Sequence, residues 1–266
     1  MASNYTATDA QAYQRLMGRW SPRLAEELIA FAGIAAGDRV LDVGCGTGSM
    51  ALALAAHPEP GAIVGIDIAA PYIADAAARS TDPRLTFLIG DAVTLDLPAD
   101  SFDRSFSLLA LNFMSNPIRA IGAMAHVTRP GGVIAAAVWD FAGGLVYQRI
   151  FWDTAAALDP EADLSRGRLF SSPLTGPGEL AAAFGEVGLR QVQPASLTIR
   201  MEYADFSDYW EPIANAQGPV GDYVKRLSPD QLDTLATAVR RAYLGGGADR
   251  PRSMAATAWA ARGVVP

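Results

Sequence analysis

The residues best placed to do chemistry lie in Val40-Leu41-Asp42-Val43-Gly44-Cys45-Gly46-Thr47-Gly48, an apolar run that breaks into a glycine-rich turn and opens a helix. Glycine lacks a Cβ, so such a turn takes positive φ and lets a ligand approach the backbone. The helix beyond it presents unpaired N–H groups. Two ligand classes suit this arrangement. A dinucleotide site wants G-x-G-x-x-G, with the third glycine packing helix on strand. Here the spacing is G-x-G-x-G and Ser49 holds the next position. Asp42, two residues before the first glycine, places a carboxylate where a pyrophosphate would be repelled and a cationic amino-acid ligand favoured. Ser49 and Asp42 together count against a nicotinamide oxidoreductase.

Such a loop needs a sheet to hold it. Val40–Val43, Ala62–Ile68, Leu85–Ile89, Phe102–Leu109 and Gly132–Trp139 are short apolar runs that read as five strands. Met50–Ala56, Pro71–Ala78 and Pro117–Val127 lie between them at helical spacing, with Pro71 in a first turn where a missing N–H costs nothing. Strands separated by helices imply parallel pairing with right-handed crossovers. Beyond Asp140 the pattern changes. Residues 143–185 read as aromatic-rich helices broken by Pro173, Pro177 and glycines, and Leu189–Tyr203 as a sixth strand. Residues 204–250 read as a helical insertion containing the capping box Ser228-Pro229-Asp230-Gln231, with Gly245–Gly247 as its stop. Met254–Val265 closes the chain as a last strand. The expected fold is α/β, a doubly wound, mostly parallel seven-stranded sheet. Its parts are an N-terminal helical leader (1–35), a ligand-binding core (36–142) and the rest of the sheet with helical cap insertions (143–266), within one domain.

Composition narrows the partners. Half of the 266 residues are hydrophobic and 18% are charged, as in a packed globular protein. The net charge is −7, Lys225 is the lone lysine and the arginines, apart from the adjacent Arg240–Arg241, are scattered singly. Nucleic acid, gripped through clustered cations, is therefore a poor substrate. No apolar run is long enough to span a membrane. Residues 1–14 lack the basic start and apolar core of a secretory signal. The single Cys45 fits a reducing cytoplasm, and His57 and His126 lie too far apart to suggest a metal site.

Gly44–Gly48 with Asp42 resembles motif I of the class I S-adenosylmethionine (SAM)-dependent methyltransferases, and the similarity continues over roughly residues 36–140. The resemblance implies a Rossmann-like methyltransferase fold with SAM as cofactor and S-adenosylhomocysteine as product. It places Asp42, Gly44, Cys45, Gly46 and Gly48 around the cofactor, and Asp67 on both ribose hydroxyls, where two carboxylate oxygens accept from a diol. Ile68 and, at the end of the fourth strand, Leu108 are carried over as further cofactor contacts. Gly90-Asp91-Ala92 matches the adenine segment, Asp91 accepting from the exocyclic amine and the Ala92 N–H reaching a ring nitrogen. Ser101-Phe102-Asp103 resembles motif IV, and Arg129-Pro130-Gly131-Gly132 the turn before the fifth strand. Two departures stand out. Asn112-Phe113 occupies the place where many relatives carry His-His, and the Asn/Asp-Pro-Pro-Tyr/Phe sequence of nucleic-acid amino-group methyltransferases is missing.

Tyr13–Trp20 resembles the leader helix that covers the methionine end of SAM in small-molecule relatives. Arg19 is expected to pair with the ligand carboxylate, and Tyr13 or Trp20 to close the pocket; a solvated arginine beside two core aromatics is the alternative. Trp139, Phe141, Phe151, Trp152, Tyr209 and Trp210 serve either as core or as a substrate pocket under a lid. Asn112, Trp139, Asp140 and Trp152 are the candidate acceptor contacts. His57 and His126 sit remote from the strand ends that bind ligands. The resulting expectation is methyl transfer to a small, partly apolar acceptor, with no residue assignable as general base. A lipid or protein acceptor and a non-catalytic SAM-binding protein are the alternatives. The acceptor, the pathway and the oligomeric state stay open at this level.

Overall fold

The computed structural model describes residues 10–216 and 218–266. The expectation about a secretory signal falls largely on residues 1–9, outside the described residues. Seven strands form one sheet: β1 (Arg39–Val43), β2 (Ala62–Asp67), β3 (Leu85–Ile89), β4 (Phe102–Leu108), β5 (Thr128–Trp139), β6 (Arg190–Tyr203) and β7 (Arg252–Val264). Their order is β3-β2-β1-β4-β5-β7-β6. The first five are parallel, with Leu41 opposite Val64 on one side and Ser105 on the other. β7 runs antiparallel to both β5 and β6. The order reverses between β1 and β4, and a sheet of this kind binds ligands at the carboxyl ends flanking that switch point.

The interior strands are buried on both faces, which is why they read as unbroken apolar runs. On one face α2 (Ser21–Ala32) and α3 (Ser49–Ala56) bring Leu24, Leu28, Met50 and Leu54 against Val40, Ile63 and Phe106. On the other, α5 (Pro117–Val127) and α8 (Glu179–Glu186) pack Ile121, Met124, Leu180 and Phe184 with Leu41, Val43 and Ile134. α4 (Ala70–Ala78) lies against β2 and β3. Residues 90–101, between β3 and β4, form no helix, yet Leu95 from this stretch joins the second core.

The leader is α1 (Ala10–Tyr13) running into a π-helical turn, Gln14–Gly18. The cap consists of α6 (Val146–Leu158), α7 (Pro160–Phe170), α9 (Phe206–Ala214), α10 (Gly218–Val224) and α11 (Pro229–Leu244). α6 packs on α7 and α11, while α10 bridges α7 and α9. Ser228 and Gln231 form the expected capping box, and Gly245 ends α11 with a φ of +56°. One expectation needs correcting. Residues 143–185 do not all enter the cap, because α8 buries Leu180, Ala183 and Phe184 against the sheet and α5. No helix among the described residues is long and apolar enough to cross a membrane.

Candidate functional site

β1 carries Asp42 into the interior, and the chain turns off the sheet at Gly44 with a φ of +71°. A Cβ at Gly44 would stand 2.5 Å from the Cβ of Ala110. Glycine is therefore required twice over, for its backbone conformation and for the close approach of the loop after β4. Asp42 is fully buried. Its Oδ2 accepts from the Ala51 N–H in the first turn of α3 at 3.1 Å, and its Oδ1 has no hydrogen-bond partner among the described residues. Loss of water pushes this carboxyl up to about 8, the Ala51 N–H opposing and the neighbouring Asp67 reinforcing the shift.

Asp67 ends β2. Its Oδ2 accepts from the Gly46 N–H at 2.9 Å and its Oδ1 from the Ala69 N–H at 2.8 Å. Burial raises its pKa, against the pull of these backbone donors. The carboxylate thus ties the glycine loop to β2, and each oxygen keeps a lone pair for a further donor. Asp91, two residues beyond β3, accepts from the Val93 N–H at 2.8 Å and shapes its own turn. Asp103 stands at the opposite, amino-terminal edge. It accepts from the Arg39 N–H at 2.8 Å and from Arg129 Nε at 2.6 Å, so the motif around it fastens β4 to its neighbours and does not enter the site.

A cavity of about 450 Å³ opens at the carboxyl edge. It brings together Asp42, Gly44, Cys45, Asp67, Ile68, Asp91, Ala92 and Leu108. Gly46 and Gly48 are not among its lining residues; they shape the loop from behind, with φ of +53° and +87°. Burial pushes the Cys45 thiol far up, which leaves it an inert small wall residue.

Arg19 is not brought to this cavity. Its guanidinium grips Asp208 of α9, Nη1–Oδ1 2.5 Å and Nη2–Oδ2 3.2 Å, and donates to the Glu202 carbonyl at 3.1 Å. It lies 4.5 Å above the Trp20 ring, which packs edge-on against Tyr203. The leader turns at residues 19–20 towards β6 and α9, where Asp208 takes the arginine, so its guanidinium points away from the cavity in this structure. Tyr13 does line the cavity, whereas Trp20 is core.

Of the four candidate acceptor contacts, Trp139 alone lines the cavity. Asp140 accepts from the Gly143 N–H at 2.9 Å and serves the turn into α6. Trp152 is 0% exposed, its ring 5.0 Å from Phe151 and 5.8 Å from Tyr223, and is core. Asn112 is buried in the turn after β4, and neither amide atom has a partner among the described residues. Phe141 joins the wall, while Phe151, Tyr209 and Trp210 pack in the cap. His57 meets Glu26 at 2.8 Å at the far end of α3, and His126 is exposed at the end of α5.

Sequence reasoning missed the residues that complete the chamber. Met17 comes from the leader, Phe113 and Met114 from the turn after β4, Leu169 from α7, and Pro219 and Val220 from α10. Tyr147 and Gln148, in the first turn of α6, add polar groups to a wall that also carries Tyr13, Ser21 and Ser115. The Tyr147 hydroxyl donates to Met17 Sδ at 3.3 Å and accepts from Gln148 Nε2 at 3.0 Å. Burial pushes the Tyr147 phenol well above its usual range. The signal for these residues was faint, an aromatic-polar pair at the start of a helix in a stretch rich in aromatics.

A family model described as a methyltransferase domain matches residues 40–132. Erythromycin 3''-O-methyltransferase of Saccharopolyspora erythraea is 36% identical over 149 residues, 50% of this chain and 48% of that protein. Demethylmenaquinone methyltransferase of Roseiflexus castenholzii is 30% identical over 167 residues, 58% of this chain and 68% of that protein. The first curated relatives are matched over about half their length, 48%, 47% and 43%. Among solved structures, phosphoethanolamine N-methyltransferase 2 of Haemonchus contortus in complex with S-adenosyl-L-methionine superimposes with a TM-score of 0.59. It is 16% identical and the match covers 97% of this chain and 56% of that one, a likeness of fold. The strand order, the glycine loop at the switch point and these matches converge: the chain belongs to the class I SAM-dependent methyltransferase family.

Proposed function

We propose that the chain binds SAM along the carboxyl edge of β1, β2 and β3 and transfers its methyl group to a small-molecule acceptor in the apolar part of the same cavity. The observation that carries this reading is the continuity of one cavity from Asp42, Asp67 and Asp91 to the chamber walled by the leader, α6, α7 and α10. The residues present fit the cofactor. Asp42 has a buried oxygen without a partner, suited to an ammonium group. Asp67 would hold the ribose hydroxyls, and Asp91 and Ala92 the adenine edge. The Ile68 side chain, 68% exposed at the end of β2, offers an apolar surface to a flat ring. In this reading residues 36–142 hold the cofactor. The leader and the cap helices, without α8, enclose the acceptor.

When bound, SAM would supply a methyl group activated by its sulfonium charge, for transfer to the acceptor atom with the thioether sulfur keeping the carbon–sulfur electron pair. The chain's own contribution is alignment and exclusion of water, which suit a reaction whose leaving group is already activated. Burial holds Tyr147 Oη protonated, so it donates a hydrogen bond and does not act as a base. No histidine, lysine or arginine lines the cavity among the described residues. The proton of a protic acceptor would pass to solvent or to a lining carboxylate as the methyl group transfers.

Thermal denaturation with SAM or S-adenosylhomocysteine at about 100 times an expected dissociation constant, and with NAD at the same concentration, tests the reading. Either adenosyl ligand should stabilise the native state by about 2.7 kcal/mol, and Asp67→Ala should abolish the shift while NAD gives none. No shift with either adenosyl ligand, in protein shown to be folded, would refute it. A lipid or protein acceptor would instead need the chamber to open into a groove, and a non-catalytic binder would show the shift without turnover across an acceptor screen.

A further inference from the structure

β6 is the outer strand beyond β7, and at 14 residues it is a long edge. Such an edge shows a row of unpaired N–H and C=O groups to any other strand. Thr257 of β7 turns its own backbone to Asp140 and Gly144, so its neighbours Ala256 and Ala258 face β6, opposite Ile199 and Leu197. Alternation then directs the backbone groups of Pro194, Ser196, Thr198, Arg200 and Glu202 outward, away from β7. The opposite edge, β3, has five residues, and its shortness is a protection in itself.

The outward row of β6 is closed at both ends. At its start the ladder shifts register between Arg190 and Gln193, Gln191 takes a φ of +52°, and Pro194 has no N–H to give. At its far end the root of the leader covers it. Arg23 Nη1 donates to the Arg200 carbonyl at 2.7 Å, and Arg19 Nη2 to the Glu202 carbonyl at 3.1 Å. A carboxylate holds each guanidinium, Glu202 that of Arg23 at 2.8 Å and Asp208 that of Arg19 at 2.5 Å. Both also lie over the buried ring of Trp20, Arg19 at 4.5 Å and Arg23 at 5.2 Å, which fixes their direction. Ion pairs this exposed add little stability. Their effect lies in where they place two donors, on successive outward carbonyls of one edge.

We infer that Arg19 and Arg23 are edge guards that keep a second copy of this chain from adding to the sheet along β6. The segment they cover is self-complementary. A two-fold axis at Ile199 would set Thr198 opposite Arg200 of the other copy and Ser196 opposite its Glu202, with no like charges face to face. Antiparallel pairing over Ser196–Glu202 would form about eight backbone hydrogen bonds. About half of them need the Arg200 and Glu202 carbonyls that the two arginines occupy. With these taken, only Ser196 and Thr198 keep both outward groups free, too short a stretch to hold two chains together. Because the guards sit at the root of the leader, the element that walls the cavity also sets the assembly state.

The test compares sedimentation velocity of wild type, Arg19→Ala/Arg23→Ala, and that double variant carrying Thr198→Pro, each over a wide range of concentration. Thr198→Pro removes an outward N–H that β7 does not use. Cooperative thermal unfolding in every variant establishes that the fold is kept. Freed of its guards, the double variant should dimerise with a dissociation constant about thirtyfold below that of wild type, the effect of about four weak hydrogen bonds. Its Ser196, Thr198, Arg200 and Glu202 amides should gain protection from hydrogen exchange as concentration rises. Arg23→Ala alone, which frees the Arg200 carbonyl, should shift association in the same direction by less. Adding Thr198→Pro should return the double variant to the wild-type mass. Three results would each overturn the inference: unchanged mass in both arginine variants, association that survives Thr198→Pro, or a wild type whose own Ser196–Glu202 amides gain protection with concentration.

Discussion

Replacing Asp42 with asparagine should change how stability depends on pH. The native carboxyl is pushed up to about 8 from an ordinary 3.8, so between these values the folded protein holds a proton that the unfolded chain has released. Stability then falls as pH rises, by roughly 1.4 kcal/mol per pH unit for this one group. It is fully present below the unfolded value and lost as pH climbs through the folded one. Across the whole window the loss is on the order of 5 kcal/mol. Asparagine keeps an oxygen for the Ala51 N–H, which Asp42 now satisfies at 3.1 Å, but cannot ionise. Urea denaturation of both proteins at several pH values isolates the effect, because other titrating groups cancel in the difference. From pH 5 to pH 7 the variant should gain roughly 2.7 kcal/mol on wild type, and the gain should level off above about pH 8. Parallel pH profiles would refute the reasoning, since they would mean that Asp42 ionises as freely in the fold as in water. The same group should couple to the ligand: an ammonium arriving beside Asp42 favours its ionised form, so calorimetry at pH 6.5 in buffers of different ionisation enthalpy should detect proton release in wild type and less in Asp42→Asn.

Gly44→Ala should destabilise the fold by roughly 2 kcal/mol or more, the added Cβ meeting Ala110 in a left-handed conformation. Ala110→Gly in the same chain should recover only the steric part, as urea denaturation of the pair would show. Arg19→Ala should cost less than about 1 kcal/mol, because its pair with Asp208 is 39% and 29% exposed. It should also leave S-adenosylhomocysteine affinity nearly unchanged, and a large loss by titration calorimetry would restore a ligand-carboxylate role for Arg19. Trp152→Ala should lose roughly 3–5 kcal/mol of stability as a buried core ring. The milder Trp152→Phe should leave S-adenosylhomocysteine affinity unchanged, since the ring lies outside the cavity lining.

The two ends of the cavity differ in how far sequence alone reaches them. Asp42, Asp67, Leu108 and Trp139 lie in or at the carboxyl ends of strands, and Asp91 two residues past one. Once the strands are located, parallel register fixes where each of these points, and buried parallel strands announce themselves as unbroken apolar runs. The acceptor end has no such ruler. Met17 and Tyr147 meet across 130 positions, and Val220 arrives from a third helix. Trp139 and Trp152 are alike in type and close in sequence, yet one lines the chamber and the other fills the core behind it. Arg19 shows the same difficulty, since the partner it takes in the structure, Asp208, is 189 positions away and a carboxylate on a ligand would suit it equally well. α8, grouped with the cap when residues 143–185 are read as one insertion, is claimed by the sheet through Leu180 and Phe184. Substitutions at the first end therefore act through strand register and the glycine loop, on which the cofactor reading rests. Those at the second act through the packing of helices against one another, and that packing is where one sheet can change its acceptor without changing its fold.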